Sequence, residues 1–283
     1  MIAFTEIARG YYLEGLLVDG DDIWFTDVIE GGVKNLRTGQ IVMPGRTMIG
    51  GLLLNADGSL LVAGLGGIDW VNPASGAGGT LVSGIDGANE MRSDGAGGLL
   101  FGSIDLPAIL EGRKPGPSSI CRVAQDGAFS VLYEGLAFAN GLSLNPEGTQ
   151  LYFNESFVAV RRFPVGPGLV LGAMETMVEK YDCDGLALDV AGNVWICGFA
   201  SDHLLCLAPD GRELDRIALP GPACTNVRFG GADMRDLYVT VVDPAAAQKL
   251  AEGVPLTEQS SALYVARAPV AGALIARAEF TLK

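Results

Sequence analysis

Asn145-Pro146-Glu147-Gly148-Thr149-Gln150-Leu151-Tyr152-Phe153-Asn154 reads as a tight turn running into an apolar strand, and the same kind of unit recurs along the chain. The strand half returns as Ile23-Trp24-Phe25-Thr26, Leu60-Leu61-Val62-Ala63, Leu99-Leu100-Phe101-Gly102, Val194-Trp195-Ile196-Cys197 and Leu237-Tyr238-Val239-Thr240. With the second residue of each as marker, the separations are 37, 39, 52, 43 and 43 residues. Further turns of the same chemistry flank these strands, among them Asn55-Ala56-Asp57-Gly58, Asp189-Val190-Ala191-Gly192, Gln125-Asp126-Gly127 and Pro209-Asp210-Gly211, so each repeat holds four short strands. Six such repeats predict an all-β fold: a six-bladed β-propeller with four-stranded blades around a central channel. In that arrangement each sheet buries both faces and leaves few open edges. Ala3 through Ala8 is expected to pair with Ala262 through Ala266 and close the ring. No Pro/Ser-rich linker interrupts residues 1–283, which are therefore expected to form a single domain.

Composition agrees with this and narrows the function. The chain is 49% hydrophobic and carries 40 glycines without a Gly-x-y period, which excludes disorder and collagen and fits many tight turns. It has 33 acidic against 19 basic residues, a formal charge of -14, and no cluster of Lys and Arg to meet phosphates, so a nucleic-acid partner is not expected. No 18-residue apolar run exists, and Met1-Ile2-Ala3-Phe4-Thr5-Glu6 lacks the basic flank and apolar stretch of a signal peptide; a soluble, cytoplasmic protein without a membrane partner is expected. The five cysteines form no Cys-x-x-Cys pair, which argues against a disulfide framework or a zinc finger.

The chemistry is sought where the repeats converge. Residues just before the innermost strand of each blade meet on the propeller axis, and roughly ten to twelve residues before the markers stand Glu14-Gly15, Asn89-Glu90, Asn140-Gly141, Asp184-Gly185 and Thr225-Asn226, with Gly50-Gly51 in the second repeat. Any one of these is an ordinary turn dipeptide. Their equivalence across repeats carries the argument. Carboxylates from Glu14 and Asp184 on a narrow axis repel unless a cation lies between them, and amide oxygens of Asn140 and Asn89 complete an oxygen shell. Such a set suits calcium first, then magnesium or manganese, whereas zinc prefers nitrogen and sulfur.

These segments, Glu14-Gly15-Leu16 with Ile23-Trp24-Phe25-Thr26-Asp27, Ala88-Asn89-Glu90 with Phe101-Gly102, Ala139 through Leu144, Cys183 through Asp189, and Cys224-Thr225-Asn226-Val227, together resemble the senescence marker protein / gluconolactonase / luciferin-regenerating enzyme family of six-bladed propellers over nearly the whole length. The resemblance implies a divalent metal on the axis held by Glu14, Asn140 and Asp184, with Asn89 close to metal or substrate, and hydrolysis of a lactone or, in some relatives, of other esters. Gly87 stands where sugar-lactone hydrolases of the family often carry Arg, and Glu90 where Asp is more usual, which shifts the expected substrate away from a polyhydroxylated lactone. Cys183 and Cys224 replace prolines beside the expected metal, either as inert packing or as a pull toward a softer ion.

Other constellations are poorer. His203 is the only histidine and no Gly-x-Ser-x-Gly elbow accompanies it; it either touches substrate from the loop after the fifth marker strand or is a solvated loop histidine. Phe199 lies on that same loop. Ile104 through Ser119, with Asp105, Leu106, Ile109 and Leu110, and Asp243 through Ser260 are insertions expected to overhang the metal end as lids. The expected function is a metal-dependent lactonase that is a monomer or small homo-oligomer. Asp184 is its catalytic residue, as base or as direct nucleophile, and Asn89, Glu90, Asp105, Phe199 and His203 are its substrate-binding residues. Alternatives are a sugar lactonase, a phosphotriester-type hydrolase and a non-catalytic ligand-binding propeller.

Overall fold

In a computed structural model, which describes residues 2–283, the chain forms a six-bladed β-propeller. Each blade is an antiparallel sheet, and in four of the six the four strands follow one another in sequence: Leu13–Asp19, Asp22–Asp27, Val33–Asn35 and Ile41–Val42 in the first, and Gly51–Leu54, Leu60–Gly64, Gly67–Val71 and Gly78–Val82 in the second. The third uses Ala88–Ser93, Leu99–Ser103, Ser118–Val123 and Phe129–Leu136, and the fifth Cys183–Leu188, Val194–Gly198, His203–Leu207 and Glu213–Ala218. In the fourth, Ala139–Leu144, Gln150–Glu155 and Ala159–Gly166 are followed by two pieces, Val170–Leu171 and Glu175–Glu179, which both pair with the third strand. All six apolar-aromatic segments recognised in the sequence are second strands, buried between blades.

The sixth blade closes the ring. Cys224–Gly230, Asp236–Val242 and Ser261–Arg267 come from the end of the chain, and its outermost strand, Thr5–Gly10, comes from the beginning, with Thr5 opposite Val265 and Gly10 opposite Ser261. The expected terminal pairing is present, a few residues further along than Ala3 through Ala8. First strands of neighbouring blades touch all the way round, Cys224–Gly230 against Leu13–Asp19 included.

Cohesion comes from apolar faces pressed together between blades. Leu53, Leu61 and Trp70 of the second blade pack with Met91, Leu99 and Phe101 of the third, and each fully buried side chain of this kind contributes about 1.5–3 kcal/mol. Turns follow their sequence chemistry: Asn145 accepts from Thr149 and Gln150, and Gly148 takes φ +67°, a conformation that costs a residue with a Cβ. After the sixth blade, residues 268–283 run across the far end of the propeller. Ala273 donates to the Leu188 carbonyl and Ala278 to that of Leu54.

Two helices interrupt the all-β plan, both inside the insertions. α1, Leu106–Leu110, is capped by Asp105, whose carboxylate accepts from the Ala108 amide at 3.0 Å and the Gly116 amide at 3.1 Å. α2, Pro244–Ala251, is capped by Asp243 and packs against α1. No helix is long and apolar enough to cross a membrane among the described residues.

Candidate active site

The polar residues of the repeat do not precede the first strands, as expected; they lie inside them, each at a bulge. Glu14 and Gly15 together face one residue, Thr26, because the register steps between Leu13 and Leu16. The same step occurs at Asn89-Glu90, Asn140-Gly141, Asp184-Gly185 and Thr225. The second blade, with Gly50-Gly51, pairs without interruption from Gly51 to Leu54. A bulge re-aims a side chain that regular pleating would bury between blades. Polar groups hold these bulges: Thr26 Oγ1 accepts from the Gly15 amide and donates to the Ile49 carbonyl, both at 2.8 Å, and Asn154 Nδ2 donates to the Asp184 carbonyl at 2.5 Å.

Glu14, Asn89, Asn140 and Asp184 share the floor of one cavity of about 440 Å³ at this end of the axis. Asn89 Nδ2 donates to Asn140 Oδ1 at 3.2 Å, Asn140 Nδ2 to Ser156 Oγ at 3.2 Å, and Ser156 Oγ to the Cys183 carbonyl at 2.6 Å, a chain that fixes both amides. Asn89 Oδ1 stands 2.2 Å from where a Cβ at position 50 would be, so Gly50 leaves the room this amide occupies. Burial pushes the Glu14 carboxyl well above the usual range, reinforced by Asp184 and Glu90. Burial likewise raises Asp184, with Cys224 and Glu90 adding to it. Asp184 Oδ1 is buried without a hydrogen-bond partner among the described residues. Tyr12 lines the cavity too, its phenol raised by burial, Glu14 and Asp184.

This donor set fits a hard divalent cation. Two carboxylates, one oxygen of which has nothing to bind, stand beside amide oxygens with lone pairs to spare. No group of three or more His, Cys, Asp and Glu gathers among the described residues, here or elsewhere, so at this site amide oxygens would have to complete the donor set. The cysteines take no part. Cys183 and Cys224 are fully buried outside the cavity lining, Cys224 with its Sγ 2.8 Å from that of Cys197, and burial pushes the Cys183 thiol up.

Above the floor the walls are apolar. Leu106 and Ile109 of α1, Ala247 and Leu250 of α2, and Met48 and Phe138 line them, so both insertions overhang this end. At the mouth, Phe157 is half exposed and held at φ +73°, where a side chain costs roughly 1–2 kcal/mol, by its amide bond to the Tyr181 carbonyl at 2.7 Å. Its ring packs on Phe138, Tyr181 and Phe199 with centroids 5.4–5.9 Å away. Gly87 explains part of the apolar character: a Cβ there would meet Leu106 Cδ1 at 2.6 Å and Cγ at 2.7 Å. The lid leucine occupies the space that a side chain at 87 would need.

Of the residues expected to bind substrate, Asn89 and Phe199 line this cavity; Glu90, Asp105 and His203 do not. Within the bulge Asn89 turns to the cavity and Glu90 down the channel. There Glu90 accepts from Arg92 Nη1 at 2.6 Å, from Arg228 Nη2 at 2.5 Å and from Asn226 Nδ2 at 3.2 Å, and the two guanidiniums hold its carboxyl below the usual range against burial. Asp105 is spent capping α1. His203 begins an outer strand, with Nδ1 3.1 Å from Asp202, too far out along its blade to reach the axis. The sequence reading missed Tyr12, Ser156 and Gln248 in the lining; Ser156, directly after a marker strand, carried a positional signal.

Residues 13–243 match the family described as the SMP-30/Gluconolactonase/LRE-like region. The chain belongs to this family. A Pseudomonas putida member named 6-deoxy-6-sulfogluconolactonase is 26% identical over 227 residues, covering 77% of this chain and 78% of that one. A pentonolactonase of Haloferax volcanii is 28% identical over 158 residues, and the alignment spans 54% of this chain and about half, 52%, of the relative. Among solved structures, a calcium-binding protein, regucalcin, from Agrobacterium tumefaciens superposes with a TM-score of 0.81 over 99% of this chain and 98% of that one at 21% identity, a likeness of fold.

Proposed function

We propose that this protein hydrolyses a lactone with the help of a divalent cation, calcium first, and that its substrate is less polar than an aldonolactone. The observation that carries the reading is the partnerless buried oxygen of Asp184 beside Glu14, at the bottom of a cavity whose walls are apolar. Relatives in the family named as lactonases support the reaction class. Glu14, Asn140 and Asp184 would hold the cation, with Asn89 beside them. When bound, such an ion polarises the ester carbonyl and offsets the negative charge of the opening ring.

The chain's own groups do the rest. Asn89, fixed on Asn140, has its amide in the lining where a lactone oxygen would lie. Asp184 Oδ1 takes a proton from the attacking water as its oxygen bonds to the carbonyl carbon. The ring C–O bond then breaks, the released alkoxide takes that proton, and a hydroxy acid leaves. The lid helices and the aromatic mouth exclude water and bury the apolar part of the substrate.

A sugar lactone is the second reading. It is favoured by the names of the relatives and by Arg113, which enters the lining from just beyond α1 where Gly87 offers no guanidinium. Metal analysis followed by hydrolysis of alkyl, aryl and sugar δ-lactones of equal ring size separates the two. The proposal expects higher kcat/KM on the apolar lactones. Preference for the sugar ring overturns the substrate assignment, and no turnover of any lactone by metal-loaded protein overturns the activity.

A further inference from the structure

We infer that the far end of the channel is a second binding site, for a small oxyanion bearing a carboxylate or phosphate group. A cavity of about 380 Å³ opens there, lined by Ser93, Leu144, Leu188 and Phe229 at or next to the ends of the first strands of the third to sixth blades. Arg92 and Arg228 line its inner wall, with side chains 4% and 2% exposed. The third and sixth blades face each other across the axis, and these two arginines meet there on a single carboxylate, Glu90, itself 2% exposed.

The cluster is short of negative charge. Arg92 Nη1 and Arg228 Nη2 each bind one oxygen of Glu90, and the remaining contacts are neutral: Met91, Val227 and Leu186 carbonyls and Asn226 Oδ1. The Nε–H of neither arginine donates to a protein atom among the described residues, and neither is sealed off as a buried orphan. Of the other carboxylates at this cavity, Asp94 is paired with Arg122 at 2.8 Å and Glu147 stands on the exposed rim. An uncompensated buried guanidinium is costly, and one at the wall of a solvent-connected cavity is relieved by an anion. Burial and the facing Arg228 lower Arg92 to about 10, which agrees with that shortage. The outer wall is the crossing segment, with Leu274, Ile275 and Ala276 exposed.

The site is tested by calorimetric titration of the purified protein with inorganic phosphate and with succinate, against sodium chloride of matched ionic strength. Saturable binding of phosphate or succinate, absent with chloride, is expected, and which of the two binds more tightly identifies the preferred headgroup. Arg92→Gln, which leaves one guanidinium for one carboxylate, should weaken binding about tenfold or more, the loss of one charge-assisted contact. Because that change lies in the core, Ala276→Trp on the exposed wall serves as a second variant, filling the cavity without touching the cluster. Wild-type protein that binds neither anion overturns the site, as does binding undiminished in Ala276→Trp.

Discussion

Gly87→Ala isolates the contact that gives the cavity its apolar character. Gly87 is not among the glycines with positive φ, and its backbone is pinned by a bridge to Leu65 and a bond from the Ile104 amide to its carbonyl, so a new methyl group has no backbone strain to confound it. The methyl would stand 2.6 Å from Leu106 Cδ1, 2.7 Å from Cγ and 3.0 Å from Cβ. Rotation of Leu106 clears the first two, but its Cβ is tied to α1, so the lid must shift. Overpacking of this kind costs about 1–3 kcal/mol, roughly 2–12 °C in Tm at about 2–4 °C per kcal/mol. Leu106→Ala should cost about 2 kcal/mol by itself, the low end for a buried leucine because it borders an open cavity.

The two should not add. With alanine at 106 only the 3.0 Å approach of the two Cβ atoms remains, and a shift of a few tenths of an ångström relieves it. Gly87→Ala in that background should then cost less than about 0.5 kcal/mol, a coupling of about 0.5–3 kcal/mol by double-mutant cycle in denaturant unfolding. Leu106→Ala should also raise relative efficiency on a sugar δ-lactone, because space is returned beside the floor. Gly87→Ala that is neutral alone, or that costs the same in both backgrounds, refutes the account of Leu106 as the occupant of that space.

Asp184→Asn should abolish lactone turnover more completely than Asn140→Asp impairs it, because the first removes a charge and the proton acceptor while the second keeps an oxygen ligand; kcat for both variants decides it. Chelation should lower Tm as well as activity, since an ion that binds only the folded state stabilises it by mass action, and identical melting with and without chelator counts against the axial cation. Asp105 is held below its ordinary pKa by the Ala108 and Gly116 amides, so its cap on α1 is fully present above an unfolded value of about 3.9 and is lost as pH falls through the lowered folded value. Hydrogen exchange of α1 amides, corrected for intrinsic rates, should therefore be level from neutral pH down to about pH 5 and rise only below that in wild type, with Asp105→Ala fast throughout. An Asp105→Ala variant as protected as wild type would show the cap to be irrelevant.

The blades were legible because each second strand is buried on both faces and so reads as an unbroken apolar-aromatic run, as at Leu151-Tyr152-Phe153. The closing strand was legible in place but not in register, since Thr5–Gly10 is partly exposed and its pattern is weak. The bulges were hidden. Glu14-Gly15, Asn140-Gly141 and Asp184-Gly185 mark three of them and read as turns, and no such pair stands at Asn89-Glu90 or at Thr225. Without a bulge there was no reason to send Asn89 and Glu90 to different ends of the channel, and nothing marked Asp105 as a helix cap or His203 as the start of an outer strand. The arginine cluster did leave a trace, since Glu90-Met91-Arg92 and Asn226-Val227-Arg228 repeat a two-residue spacing that puts both polar side chains on one face of the strand. Charged residues in a strand are ordinarily read as solvated, and nothing in one sequence says that these two strands face each other.

The charges along the axis connect the two ends. Glu14 and Asp184 at the cavity floor and Glu90 beneath them are three carboxylates on one narrow channel, faced by the guanidiniums of Arg92 and Arg228. Glu90 raises the proton affinity of both floor carboxylates, whereas Arg228 opposes the rise at Glu14. Arg228 thus acts on both Glu90 and Glu14, and with all five groups ionised one negative charge is left over. A divalent ion on Glu14 and Asp184 would satisfy the upper pair outright and turn that residue of charge positive. The surplus then lies with the arginines, at the wall of the far cavity. Burial makes this redistribution matter, because the intervening Glu90 is almost wholly removed from solvent and water screens the two ends little. A cation at one end would therefore favour an anion at the other, and by linkage the anion would favour the cation equally.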